Sequence, residues 1–141
     1  MKVIAVTNRK GGVGKSTMAS HIAAGLASRG HQVALVDTDS QGNAGLMLRM
    51  PQEDGLFNLL ISKLPLDEIV HRVPLENYTE PDNPSGGNLY LVPSSERTYQ
   101  IPHMLKPDES FLFLEKLEEI VDATGVEVVV VDTNTSMSLF D

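Results

Sequence analysis

The stretch that most constrains the fold lies near the N-terminus. A continuous apolar run, Val3 to Val6, leads through Thr7, Asn8 and Arg9 into Lys10-Gly11-Gly12-Val13-Gly14-Lys15-Ser16-Thr17. A helical pattern follows from about Lys15 to Arg29: Met18, Ile22 and Leu26 recur every fourth residue, with Ala19 and Ala23 beside them and Gly30 as a stop. A buried strand that feeds a glycine-rich loop and then a helix N-terminus is a phosphate-binding arrangement. Glycines let the backbone approach an anion closely, so that successive N–H groups point at its oxygens, with the helix N-terminus behind them. In such a loop Lys15 reaches the β- and γ-phosphates of a nucleotide, Ser16 places its hydroxyl on Mg²⁺, and Thr17 bonds a further phosphate oxygen. The strict pattern asks for glycine at position 9, where the chain has Arg9; a lysine at position 10 stands instead directly before a double glycine.

The remaining elements alternate. Val33 to Val36 reads as a second buried strand, followed by a polar turn, Thr38 to Asn43. Helical patterns are expected at Ala44 to Arg49 and at Leu56 to Val73, the latter broken near Pro65. Glu76 to Asn88, with Pro81, Pro84, Ser85, Gly86 and Gly87, reads as an exposed loop. Leu89 to Val92 makes a third strand. Glu109 to Ala123 is a helix whose Leu112, Leu117, Ile120 and Val121 form a core stripe, and Val126 to Val131 is a fourth strand. Strand and helix in alternation predict an α/β domain with a parallel sheet, taking in the whole of residues 1–141.

Two further acidic sites fall at strand ends. Asp37 and Asp39 follow the second strand, and Asp132 follows Val128 to Val131. In an open parallel sheet, ligands bind outside the carboxyl ends of the strands, so these carboxylates converge on the glycine-rich loop. There a carboxylate holds Mg²⁺ or orients an attacking water; alternatively, Asp37 and Asp39 cap the turn that follows them.

Composition narrows the partners. With 11 Lys plus Arg against 19 Asp plus Glu, the net charge is −8, which argues against a broad basic face for nucleic acid. No cysteine is present, so thiolate metal sites, iron–sulfur clusters and cysteine nucleophiles are excluded and a cytoplasmic setting is expected. His21, His31, His71 and His103 have no metal-ligand spacing. Asn77-Tyr78-Thr79 and Asn134-Thr135-Ser136 match the glycosylation pattern without a secretory signal, and neither Ser16 nor Ser136 has the surroundings of a hydrolase nucleophile. No run is long enough to span a membrane.

Lys10 to Thr17, Asp37 to Asn43 and Asp132 to Ser136 together resemble the ParA/Soj family of chromosome and plasmid partitioning ATPases, within the deviant Walker group that includes MinD; Gln41-Gly42-Asn43 tilts the likeness toward ParA. The resemblance covers the N-terminal half of that family. It implies a three-layer α/β/α P-loop NTPase fold with a mainly parallel sheet, truncated on its C-terminal side, since the chain ends about nine residues after Asp132. A four-stranded sheet with an open apolar edge or face is the expected consequence. The resemblance also implies ATP and Mg²⁺ as cofactors and a homodimer formed on ATP. A ParB-like activator, and DNA contacts made by segments absent here, belong to the same picture. Lys10 resembles the signature lysine that crosses the dimer to the partner's phosphates, and Lys15, with Ser16, the phosphate and metal positions. Asp37, Asp39 and Asp132 are expected with Ser16 at the metal site, Asp132 matching the Walker B acid and Asp39 also the acid that orients the hydrolytic water. Three departures stand out: Ser40 where proline is usual, Arg9 where glutamine is frequent, and Asn134-Thr135 where two prolines are common. A nucleotide-binding regulatory module with little turnover, a MinD-like positioning ATPase and an ATP-dependent amide-forming synthase are the alternatives.

Overall fold

A computed structural model describes residues 1–6, 13–80, 82–83, 86–109 and 111–133, and the side chains of all of these but 13–17. Lys10, Gly11 and Gly12 lie outside the described residues, as do Asn134, Thr135 and Ser136. Val13 to Thr17 are described as helical backbone.

The sheet is assembled from β1 (Lys2–Val6), β2 (Val33–Asp37), β3 (His71–Arg72), β4 (Leu89–Val92) and β5 (Val128–Asp132) in the order β1-β5-β2-β4-β3. β5 runs parallel to both β1 and β2, and β2 parallel to β4. The expected four parallel strands are therefore present, and a fifth joins them: β3 pairs antiparallel with β4. β1 lies at the other edge among the described residues, with Val3 41% exposed.

Alternation along the buried strands explains the layers. Ala34 and Val36 of β2 and Val129 and Val131 of β5 point to one face. Val33, Leu35, Val128 and Val130 point to the other. Both sets are buried, which is why these strands read as continuous apolar runs. The first face is covered by α6 (Leu112–Thr124) through Phe113, Leu117 and Ile120, by Ile101 of the short α5 (Ile101–Met104), and by short turns around Leu56, Leu59 and Leu60. The second is covered by α1 (Val13–Ser28), whose Ala19, Ala23 and Ala27 are fully buried and small enough to let the helix lie close on the strands. The result is the three-layer α/β/α arrangement expected.

Gly30 ends α1 as its position suggested. At φ 101° it lets its own N–H donate to Ala27 O and that of His31 to Leu26 O, both at 3.1 Å, so two of the helix's last carbonyls are satisfied. Gly125, at φ 75°, closes α6 in a similar way.

Two expectations need correction. The helix placed over Leu56 to Val73 is instead a chain of short pieces: α3 (Gly55–Phe57), a π-turn (Asn58–Ser62), α4 (Leu66–Ile69) and then β3. Lys63 adopts φ 54° and Pro65 stands in extended geometry before α4, so the helix cannot run through. Gly55 also packs too tightly for a regular helix surface, because a Cβ there would lie 2.6 Å from Pro93 O. The described part of the Glu76–Asn88 loop is likewise not simply exposed. Tyr78 Oη donates to Gly87 O at 2.8 Å, Asn83 Nδ2 to Ser28 O at 2.8 Å, and buried Gly87 donates to Ala27 O at 2.7 Å. This segment therefore anchors the C-terminal end of α1.

Candidate functional site

The carboxyl ends of β1, β5 and β2 lie in line. In register, Val6 is paired with Asp132 and Asp132 with Asp37, so the two acids occupy neighbouring strands about 4.8 Å apart. Asp37 follows the parity of Val33 and Leu35, and Asp132 that of Val128 and Val130. Both therefore project to the face covered by α1, where the glycine-rich segment enters its helix. Both are fully buried.

Two threonines hold this edge together. Thr38 Oγ1 donates to Asp132 O at 2.5 Å, and Thr133 Oγ1 donates to Val6 O at 2.7 Å, reinforcing the backbone bonds made by the same residues. Each strand end is thus stitched to its neighbour by a hydroxyl one residue past the register pair. These positions went unnoticed in the sequence, although the signal is there: Asp-Thr occurs at 37–38 and again at 132–133.

Asp37 also organises the turn beyond it. Its Oδ1 accepts from Asp39 N at 2.9 Å and its Oδ2 from Gly45 N at 3.2 Å. The second bond caps α2 (Asn43–Met47) from outside, because the residue at its N-cap, Gly42, has no side chain to do so. Gly42 is needed for another reason. At φ 66° a Cβ would lie 2.8 Å from both Ser94 O and Gln52 Cγ. Asp39 Oδ1 accepts from Gln41 N at 3.0 Å and its Oδ2 from Asn43 Nδ2 at 2.9 Å. Turn capping by Asp37 and Asp39 is therefore real, and it coexists with the meeting of Asp37 and Asp132.

Electrostatics distinguish Asp37. Burial pushes its carboxyl up to about 7; the N–H of Asp39 pulls the other way, while neighbouring Asp132 adds to the rise. A carboxylate that is dry and beside another acid is stabilised by a nearby positive charge, and a hard divalent cation supplies one. Among the described residues no group of three or more His, Asp or Glu side chains encloses a metal site. Such a set suits Mg²⁺ all the same, which binds through one or two carboxylates, a hydroxyl, waters and substrate phosphates. Of the expected metal residues, the structure thus brings Asp37 and Asp132 together, sets Asp39 in the adjoining turn, and places Ser16 in the first turns of α1.

A protein-family model described as an AAA domain matches residues 1–141. The chain belongs to that family. Within it the domain is ParA/Soj-like. It is 35% identical to the chromosome partitioning protein ParA of Myxococcus xanthus over 113 residues, covering 75% of this chain and 40% of that protein. It is 50% identical to the chromosome-partitioning ATPase Soj of Thermus thermophilus over 70 residues, covering 50% and 28%. The AAA domain thus spans less than half the length of these relatives. Among solved structures it resembles cobyrinic acid a,c-diamide synthase from Mycobacterium smegmatis with bound ATP analog and magnesium, with a TM-score of 0.77 and 23% identity over 99% of this chain and 53% of that one. That likeness places the domain in the P-loop fold. No helix among the described residues is long and apolar enough to cross a membrane.

Proposed function

We propose that the domain binds MgATP between the loop after β1 and the carboxyl ends of β2 and β5, and that it works as a ParA-type ATPase. The observation that carries this reading is the buried pair Asp37 and Asp132, side by side on the face where α1 begins. The names of the ParA and Soj relatives support it, as does the ATP analog and magnesium in a structure of the same fold. Ser16, Asp37 and Asp132 would hold Mg²⁺, with Asp39 at the edge of that set. The cation would offset negative charge on the phosphates.

Residues of the chain divide the remaining work. Backbone N–H groups from Lys10 to Thr17 bind phosphate, with Gly11, Gly12, Val13 and Gly14 giving the close approach and Lys15 a charge at the β- and γ-positions. Asp39 orients the attacking water. Lys10 reaches the phosphates of a second copy, so ATP acts as the bridge of a homodimer and the lysine stabilises charge that develops there. In this reading the protein is cytoplasmic, answers to a ParB-like activator and serves plasmid or chromosome partitioning, with DNA contacts made outside the residues present here.

A second reading, a nucleotide-binding module with little turnover, is favoured by the state of Asp39. Both of its carboxylate oxygens are engaged by the turn that carries it, which leaves the water-orienting role dependent on a rearrangement. Phosphate release measured on samples that bind MgATP separates the two. Continuous release indicates the ATPase, and binding without release the module. The Lys10→Ala variant tests the role across the dimer: MgATP is expected to bind within about threefold of wild-type affinity, while ATP-dependent dimerisation falls by on the order of tenfold or more. Light scattering that shows undiminished dimer with ATP would contradict that role.

A further inference from the structure

Ser40, in the turn beyond β2, is a group that the reading above leaves unused. It is 2% exposed, and among the described residues its hydroxyl has no hydrogen-bond partner. The polar side chains nearest to it in sequence are matched: Thr38 Oγ1 bonds Asp132 O, and the carboxylates of Asp37 and Asp39 each accept two hydrogens. A buried hydroxyl left unpaired costs about 1–3 kcal/mol, and native structures retain few of them without a reason.

Backbone geometry does not supply that reason. Gly42 N donates to Asp39 O at 2.9 Å, so residues 39–42 form a β-turn with Ser40 in its second position. Proline is favoured there, since its ring presets the required φ. An alanine or a proline would close the same turn without burying an unpaired O–H. The hydroxyl is thus a cost to the free chain, carried one residue from Asp39 and three from Asp37.

We propose that Ser40 Oγ is a ligand-binding group of the magnesium–nucleotide site, donating its hydrogen to an anionic oxygen of the bound polyphosphate. The chemistry suits the place. Asp37, Asp39 and Asp132 crowd this end of the sheet with negative charge, and a neutral O–H donor attracts a phosphate oxygen where another carboxylate would repel it. Because the hydroxyl is unpaired before binding and paired after it, nucleotide relieves the cost. This inference rests on the nucleotide reading given above and adds a residue to it.

The test titrates MgATP by calorimetry into the wild-type chain, Ser40→Ala and Ser40→Pro, and records the unfolding temperature of each without nucleotide. Both variants are expected to unfold at or above the wild-type temperature and to bind MgATP about tenfold more weakly. Wild-type affinity in Ser40→Ala overturns the assignment. So does a loss of affinity accompanied by a matching fall in nucleotide-free stability, which marks a role in holding the turn. Should Ser40→Pro fail to fold, Ser40→Ala alone decides. Absence of MgATP binding by the wild-type chain is a different failure, and it removes the nucleotide reading itself.

Discussion

Replacing Lys15 with alanine is expected to lower MgATP affinity by on the order of 100-fold, because in the proposed site it would remove a charged hydrogen-bonding partner from the phosphates. The acids at this end of the sheet make the dependence steeper. In the proposed site Asp37, Asp39 and Asp132 would all oppose a polyphosphate, which would leave the lysine and the metal together to carry the balance of charge. Calorimetry on Lys15→Ala, with circular dichroism to confirm an unchanged fold, measures the effect. A variant that binds MgATP as well as wild type would show that the loop does not hold the phosphates.

The second large effect is on stability, through Asp37. Its carboxyl is pushed up to about 7 in the folded chain, against 3.8 when unperturbed, chiefly by burial. The native state therefore holds this proton more tightly than the unfolded state does. Between those two values stability rises as pH falls, and above 7 the full cost of the buried charge is present. Over the two pH units from 7 to 5 the gain is about 2 kcal/mol. The opposing carboxyls act lower. Asp54, lowered chiefly by the hydroxyl of Ser95, and Glu109 and Glu127, lowered by hydrogen bonds from Lys106 N and the His31 ring, contribute stability that is lost only as pH falls below the ordinary carboxylate range.

Thermal unfolding in chelator should therefore show a melting temperature that climbs from pH 8 to pH 5. Asp37→Asn should flatten the climb, since no proton is then exchanged at that site. Saturating Mg²⁺ with nucleotide at pH 8 should recover the stability that chelator leaves missing. A melting temperature that is level or falling over the same interval would mean that Asp37 is ionised without cost.

The elements that bind the candidate site were legible because each carries its own local signal. Val33 to Val36 and Val128 to Val131 are buried on both faces and so appear as unbroken apolar runs, while Val3 to Val6 is equally continuous in sequence although only Val6 of it is buried. α1 and α6 show helical spacing and end at Gly30 and Gly125. What stayed hidden depends on contacts between distant residues. The position of β5 between β1 and β2, which makes Asp37 and Asp132 neighbours, cannot be read from spacing, since 94 residues separate their hydrogen-bonded partners Thr38 and Asp132.

The stretch Leu56 to Val73 departs from the expected helix for a related reason. Leu56, Phe57, Leu59, Leu60 and Ile69 are buried together, and a set of apolar residues this dense fits a helix as readily as a series of turns. Tertiary contacts settle it: Leu56 N donates to Pro93 O at 2.9 Å, and Arg97 lies 3.9 Å from the centre of the Phe57 ring while pairing with Asp54 at 3.2 Å. Ser40 was legible as a departure from the family pattern, but its burial without a partner was not.

Titration of MgATP into the 141-residue chain, repeated with EDTA in place of magnesium, tests the central claim most directly. Saturable binding with one site per chain that weakens sharply when magnesium is withheld is the predicted result. Absence of saturable binding, or binding indifferent to magnesium, would contradict the assignment of the Asp37–Asp132 edge as a metal–nucleotide site.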